Sequence, residues 1–368
     1  MDRRTLRTVV AAALLAAASA WVLPVAEAQA PAAPARPWVM PRTPDGKPGL
    51  QGNWSNATLT PLERPAGQEL ILTDEQAAAI ENRTRVVNEF RERPSDPNRP
   101  APAVGGEERE LPPGEPTFIE RISAAAGGRV GGYNSFWLDP GERVLVVDGR
   151  PRSSIVIDPP DGRVPALTAE ARARMAAAAA AAKRFGPFDH PEVRPLADRC
   201  LLSFGSNGGP PMLPNYFYNN NYQIVQTTDH VMVMTEMVHD ARIIRIGGQH
   251  PPRHVRLWLG DSIGRWDGDT LVVETTNFHP LQVYRGASEN LKVIERFTRT
   301  GPDTILYRFT IDDPMTFTAP WTGELVFNRF NEMIFEYACH EGNYALTNML
   351  GGERALERQA AEQQKKPQ

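Results

Sequence analysis

The chain has 368 residues, a formal net charge of −4 and a hydrophobic fraction of 41%. This length is enough for one large domain or two ordinary ones, with a sizeable core. The sequence contains no basic stripe, which argues against a nucleic-acid partner and against binding to anionic membrane surfaces. We therefore expect a small-molecule substrate or ligand as the partner, while the oligomeric state stays open.

The first 30 residues have the features of a secretory signal peptide. Three arginines lie within Met1–Arg7, an apolar run covers Val9–Leu23, and Ala26–Ala30 contains small-x-small cleavage sites. The apolar run is shorter than the ~20 residues of a membrane-spanning helix, and no later segment is long and apolar enough to span. We therefore expect export to the periplasm, with no membrane insertion after cleavage.

The two cysteines, Cys200 and Cys339, are predicted to form a disulfide. In an oxidising compartment a pair of cysteines is more often bridged than free. Such a bond would close a loop of about 140 residues and contribute ~4–5 kcal/mol in the chain-entropy model. The alternative is a catalytic thiol at Cys339 beside His340, but adjacent residues on a strand face opposite ways, which disfavours it.

The N-terminal third of the mature chain is predicted to be an extension of a larger body. Residues 31–48 are rich in Ala and Pro and are predicted to be a tether. Residues 49–132 are predicted to be an ordered arm that packs on the main domain. This arm contains a helix that begins at a Thr73-x-x-Gln76 capping box and a Pro-rich loop over Arg93–Pro116. A second, alanine-rich helix is predicted over residues 168–185.

From Asn221 onward the sequence is nearly all β. Short apolar runs alternate with turn residues, and Asp267-Gly268 between two such runs is a strong hairpin signal. The predicted strands are Tyr133–Leu138, Arg143–Val147, Ser153–Asp158, Tyr222–Thr227, Val231–Met237, Ala241–Ile246, Val255–Leu259, Ser262–Trp266, Thr270–Asn277, Leu291–Thr300, Thr304–Asp312, Thr322–Asn328 and Met333–Cys339. This pattern predicts a mainly β chain whose residues 133–355 form an antiparallel barrel, which can enclose one small ligand. Residues 356–368 are predicted to be a disordered tail.

Four long motifs carry a resemblance to a known family. They are NGGPPMLPNYFYNNNYQIVQTTDHVMVMTEMVHDARIIRI, WLGDSIGRWDGDTLVVETTNF, SENLKVIERFTR and YACHEGNYAL. They resemble a large family of exported, mostly uncharacterised proteins of environmental and aromatic-degrading bacteria, over residues 49–355. The strand pattern also resembles lipocalin-type (calycin-like) barrels, a class with ligand carriers and cofactor-free lyases. The expected fold is thus a lipocalin-like barrel with two added α-helices and a long ordered N-terminal arm, a likeness that does not define function.

Two polar groups are the candidate catalytic residues. His239, Asp240 and Arg242 interrupt an apolar run, where a His can transfer a proton, a carboxylate can orient it and an Arg can stabilise an oxyanion. His340 and Glu341 follow the last predicted strand. The alternative for both groups is a charged, solvated strand end. The candidate substrate-binding residues are Tyr222, Glu236, Trp258, Arg285 and Asn343.

The predicted function is an exported acid/base enzyme of the lyase, hydratase or isomerase type that uses no cofactor and acts on a small, partly apolar molecule. Aromatic or lignin-derived substrates follow only from the resemblance. One alternative is a carrier of an apolar ligand without catalysis. Another is a metalloenzyme with a site from His230, His239 and His340, although no short motif predicts a metal site. His250-x-x-x-His254 is not one, because Pro251 and Pro252 forbid the helix that this spacing needs.

Overall fold

The computed structural model describes residues 38–92, 98, 139–203, 208–214, 219–282 and 284–364. The predicted signal peptide, part of the tether, most of the Pro-rich loop and the predicted strand Tyr133–Leu138 lie outside the described residues. The described residues from Met40 onward belong to one compact unit.

Of the three α-helices that the structure describes, two begin at side-chain caps that the sequence contains. Helix α1, Asp74–Arg91, begins with a capping box in which the Thr73 side chain accepts from the Gln76 N–H and the Gln76 side chain accepts from the Thr73 N–H. Helix α2, Ala169–Ala182, begins where the Thr168 hydroxyl accepts from the Ala171 N–H.

Helix α3, Tyr344–Gln364, was not predicted, and it covers most of the segment expected to be a disordered tail. Gly351 and Gly352 lie within it, and each disfavours a helix by about 1 kcal/mol relative to Ala. The helix buries none of its residues completely. Of the helices that the structure describes, none is long and apolar enough to cross a membrane.

Nine strands close into a barrel, which confirms the mainly β barrel fold. The structure describes twelve strands in all: β1 Gly52–Ser55, β2 Val146–Val147, β3 Arg150–Pro151, β4 Val156–Asp158, β5 Asn221–Gln226, β6 His230–Thr235, β7 Ala241–Ile246, β8 Asp261–Asp267, β9 Thr270–Thr276, β10 Lys292–Arg299, β11 Thr304–Asp312 and β12 Trp321–Arg329. The barrel runs from β5 to β12 in chain order, and β1 closes it by pairing with both β5 and β12. Strand β4 also pairs with β12, and β2 and β3 form a separate hairpin.

The barrel is not uniformly antiparallel, which corrects the sequence-based expectation. Strands β7 and β8 are parallel, with Ile244 opposite Ser262. A closed ring of nine strands requires this, because strand directions cannot alternate around an odd number of neighbours. Parallel neighbours need a long crossover connection, and residues 247–260 supply it.

Two predicted strands are absent from the described sheet. Val255–Leu259 lies in the crossover and makes only an isolated bridge, between Leu257 and Phe278. Met333–Cys339 is irregular. The reason is closure: β12 pairs with β11 on one side and with β1 and β4 on the other, so the segment that follows it has no free edge to join.

The interior of the barrel is packed with large aromatic side chains. The Tyr307 ring lies 5.0 Å from Phe297, 5.8 Å from Phe309 and 5.3 Å from Phe327, centroid to centroid. All four side chains are almost completely buried. Side chains therefore occupy interior space in which a bound ligand was expected, and the candidate cleft described below lies at an end of the barrel.

Candidate functional site

A surface cleft of about 560 Å³ opens where the chain that follows β12 returns to the turn between β6 and β7. The lining residues are Ala197, Asp198, Asn219, Glu236, Phe335, Glu336, Tyr337, Ala338, Cys339, Gly342, Asn343 and Ala345. This volume is within the range of small-molecule sites. Two of the predicted substrate-binding residues, Glu236 and Asn343, meet here.

Glu236 is the buried charge of this cleft. It follows β6 directly and is only 5% exposed. Its carboxylate accepts hydrogen bonds from the side-chain amides of Asn219, at 3.1 Å, and Asn221, at 2.6 Å. Among the described residues it has no basic partner. The two amides therefore orient the carboxylate at the wall of the cleft.

The turn after Glu236 has an unusual backbone. Val238 and His239 both have positive φ angles, of 62° and 48°, a region that is strained for a β-branched residue such as Val238. A hydrogen bond from the Thr235 N–H to the Asp240 carbonyl, at 2.8 Å, closes the turn. Such strain persists only where surrounding contacts hold it, and it concentrates at functional sites.

His239 does not line the cleft. Its side chain contacts the backbone of the 335–343 segment, which forms one wall of the cleft. His239 is exposed, and its Nδ1 lies 3.0 Å from the Tyr337 carbonyl oxygen. Because a carbonyl only accepts hydrogen bonds, Nδ1 carries the proton, and Nε2 is the acceptor of the neutral ring. The imidazole thus joins the turn to the 335–343 segment.

Asp240 is partly buried beside this turn. Burial raises the pKa of its carboxyl group to about 6, against the opposing influence of the nearby His239 charge. One of its oxygens, Oδ2, is buried and has no hydrogen-bond partner among the described residues. Asp240 was predicted to orient His239, but the His239 Nδ1 bond goes to Tyr337 instead.

Cross-links hold the irregular wall of the cleft, residues 335–343. The predicted disulfide between Cys200 and Cys339 is confirmed. The Asn343 side-chain amide also donates to the Asp198 carbonyl, at 2.8 Å. Since this segment belongs to no strand, the disulfide and these hydrogen bonds fix a wall that sheet pairing leaves unsupported.

Arg242 lies inside the barrel, which corrects the expectation that it faces a substrate. Its guanidinium binds both oxygens of the buried Glu295 carboxylate, at 2.5 and 2.9 Å. The Tyr307 hydroxyl donates to the same carboxylate at 2.9 Å. Burial lowers the pKa of Arg242, but the charge and hydrogen bonds of Glu295 outweigh this, and the net shift of the pKa is upward.

Tyr222 is part of the same buried interior and does not reach the cleft. It is fully buried, and its hydroxyl accepts a hydrogen bond from the Asn56 side-chain amide at 3.2 Å. Burial raises the pKa of this hydroxyl above its ordinary value, opposed by the hydrogen bond from Asn56 and the charge of Arg242. Its predicted role in substrate binding is therefore replaced by a structural one.

The remaining predicted site residues are dispersed. His340 and Glu341 are exposed and do not line the cleft, so His239 and His340 do not face one cavity. Trp258 stacks on His279, with 3.8 Å between ring centroids. Arg285 lines a different pocket that shares no lining residue with the cleft.

The sequence-based search missed Glu295 and Asn219. Glu295 had a signal: Val293, Glu295 and Phe297 alternate with more exposed residues along β10, so the carboxylate occupies an inward position. No local pattern in the sequence indicates the contact of Asn219 with Glu236. The contact depends on the backbone of Asn219, whose φ of 59° places its side-chain amide where it donates to the Glu236 carboxylate.

The predicted histidine site for a metal is not assembled in the described part of the chain. No group of three or more His, Cys, Asp or Glu side chains there is arranged to hold a metal ion.

No model of a known protein family matches the chain, and no curated protein matches it significantly.

Proposed function

We propose that the cleft binds a small, partly apolar molecule and that Glu236 removes a proton from it. The protein would then be an acid/base enzyme of the lyase, hydratase or isomerase type that needs no cofactor. The observation that carries this proposal is the Glu236 carboxylate: it is 5% exposed, lines the cleft and is held by two side-chain amides with no described basic partner. Such a group is held in a fixed orientation within reach of a ligand in the cleft, as a general base must be.

The other lining residues suit this chemistry. Phe335 and Tyr337 give the cleft apolar surface for the body of a ligand, and the Asn343 amide gives it a polar group. A second carboxylate, Glu336, lines the cleft from the exposed side. It is the candidate for returning the proton, because a base and an acid on one ligand are enough for elimination or isomerisation.

The proposal includes export and a lipocalin-like ancestry of the barrel. Export is supported by the disulfide, which is typical of proteins in oxidising compartments such as the periplasm. The lipocalin-like relation rests on barrel closure alone, since β7 and β8 pair in parallel. Aromatic substrates remain part of the same proposal.

A second candidate is a binding protein without catalysis. It is favoured by the two amides on Glu236, which already use part of the acceptor capacity of the carboxylate. In that case Glu236 would orient a hydrogen-bond donor of the ligand and would transfer no proton.

Proton abstraction can be tested before the substrate is known. Ligands found by saturation-transfer NMR among small carbonyl compounds with acidic C–H groups are incubated with the protein in D₂O, and deuterium incorporation is followed. We expect Glu236→Gln to keep ligand binding and to slow exchange by about 10²–10⁴-fold, the usual contribution of a general base.

The matched control is Glu341→Gln, which removes an exposed carboxylate outside the cleft and should leave exchange unchanged. If the wild-type protein binds ligands but exchanges no proton, the binding protein is the correct candidate. Equal exchange rates in wild type and Glu236→Gln would show that Glu236 is not the base.

A further inference from the structure

A second pocket, of about 460 Å³, lies beside α2 and has mostly apolar walls. Its lining residues are Glu63, Val164, Pro165, Ala166, Leu167, Met175, Arg285, Gly286 and Phe317. The walls are fixed by backbone hydrogen bonds, from the Thr318 N–H to the Ala166 carbonyl and from the Thr168 N–H to the Thr316 carbonyl, both 2.9 Å. The pocket is therefore preformed.

Arg285 stands on a tightly held turn at the edge of this pocket. Its own φ is 49°, in the left-handed region that is uncommon for residues other than glycine. The next carbonyl, of Gly286, accepts from the Arg174 guanidinium at 2.9 Å, and Arg174 also bonds the Thr316 hydroxyl at 2.8 Å. Gly286 has a φ of 80°, in the left-handed region that favours glycine, and a Cβ there would lie 2.6 Å from the flexible Met175 sulfur.

The guanidinium of Arg285 is the uncompensated charge of the pocket. The side chain is exposed, and it has no hydrogen-bond acceptor or acidic partner among the residues that the structure describes. The other charged lining residue, Glu63, is already engaged: it accepts from the Val164 N–H at 2.9 Å and lies 3.6 Å from the Arg163 guanidinium. The pocket thus combines an apolar interior with one available cation.

We propose that this pocket is a second ligand site, separate from the cleft, which binds a small monocarboxylate with an apolar body. The apolar part would contact Leu167, Met175 and Phe317. The carboxylate would bind Arg285, whose planar guanidinium matches the two carboxylate oxygens. A fixed turn beneath the arginine lowers the conformational entropy lost on binding. The proposal does not depend on the chemistry of Glu236.

Binding of three probes with the same chain tests this site: octanoate, octan-1-ol and octylammonium, measured by calorimetry or ligand-observed NMR titration on the full protein. We expect octanoate to bind most tightly. Arg285→Gln should weaken octanoate by about 10- to 100-fold, the usual effect of losing a hydrogen-bonded charge partner. Its effect on octan-1-ol should be small. Arg285→Lys should bind octanoate with intermediate affinity, because lysine keeps the positive charge but lacks the planar guanidinium that pairs with both carboxylate oxygens.

Two further variants make the result specific. Ala166→Phe places a ring in the pocket and should abolish binding of both octanoate and octan-1-ol. Arg265→Gln removes an exposed arginine on β8 that does not line the pocket and should leave both affinities unchanged, with folding of each variant checked by thermal unfolding. The proposal is overturned if octanoate does not bind, if Arg285→Gln binds it as tightly as wild type, or if octylammonium binds as well as octanoate.

Discussion

Glu295 and Glu236 are both buried carboxylates, yet their surroundings differ completely. Glu295 is 0% exposed inside the barrel, where it receives two hydrogen bonds from Arg242 and one from Tyr307. Glu236 is 5% exposed at the end of the barrel. Its hydrogen-bond partners are two neutral side-chain amides, and it lines the cleft.

The Glu295 carboxylate is paired with a cation inside the barrel, whereas the Glu236 carboxylate has only neutral partners and borders a cleft that a ligand can enter. Arg242 and Glu295 each offset part of the desolvation cost of the other, and both side chains are almost completely buried. The amides beside Glu236 orient the carboxylate without neutralising it. Burial alone therefore does not make a carboxylate a candidate base. Glu236, the proposed base, differs from Glu295 in having no counter-charge among the described residues and in lying at the edge of a cleft.

The largest effect is expected from breaking the interior pair. Glu295→Gln leaves the Arg242 charge buried without an anion and should lower the free energy of unfolding by about 3–5 kcal/mol. Urea denaturation followed by fluorescence measures this. Glu236→Gln, the matched change in the cleft, should cost only about 1–2 kcal/mol, because no buried cation is left unpaired. A loss of the same size in both variants would contradict the distinction.

The double variant Arg242→Met/Glu295→Leu sharpens the same comparison. Replacing both charges by apolar groups of similar volume removes the desolvation cost together with the attraction, and is often neutral or stabilising. We expect it to recover most of the stability that Glu295→Gln loses. A double variant as unstable as the single one would mean that Glu295 acts through Tyr307 rather than through Arg242.

The next effect concerns the wall of the cleft. The Cys200→Ser/Cys339→Ser variant removes a cross-link that closes a loop of 139 residues, and should lose about 2–5 kcal/mol of unfolding free energy. Amide hydrogen exchange should rise most in residues 335–343, which no strand holds, and least in β10 and β11. Uniform exchange across the barrel would show that the disulfide supports the sheet instead. Wild-type protein treated with a reductant is the control.

The smallest effect is a pH dependence from Asp240. Burial raises its pKa in the folded state to about 6, so the folded protein binds this proton more tightly than the unfolded chain. The associated stability is fully present below pH ~4 and is lost as the pH rises through about 6. Asp240→Asn should therefore be more stable than wild type at pH 8, by about 1 kcal/mol after allowance for solvent screening. The two proteins should be equal at pH 3.5.

Denaturation of both proteins across this range measures the effect, with Glu341→Gln as an exposed acidic control. A constant difference between Asp240→Asn and wild type at all pH values would show that the side chain acts through packing rather than through its proton.

Local patterns in the sequence predict most barrel strands but not how the barrel closes. Alternation of apolar and polar residues locates β11, because one face of each strand is buried. The parallel pairing of β7 with β8 has no such local signal. A closed ring with an odd number of strands must contain a parallel pair. The crossover of residues 247–260 determines that this pair is β7 and β8.

The site was predictable to a similar extent. Glu236 and Asn343, two polar residues at the ends of apolar segments that were predicted to bind substrate, line one cleft; substrate binding itself stays a prediction. The pairing of Arg242 with Glu295 was not predicted, since β7 and β10 are not neighbours in the sheet and their side chains meet only across the interior. Contacts of that kind depend on the register of the whole barrel.

Strand β1 also constrains the order in which the chain folds. Trp54 lies opposite Tyr222 on one side and Arg329 on the other, so both neighbours of this early segment are synthesised long after it. Contacts between such distant segments form slowly, because the intervening chain must be ordered first. We therefore expect ring closure to be a late event. Until it occurs, β5 and the end of β12 that pairs with β1 present unpaired edges, the surfaces on which strand-to-strand aggregation begins.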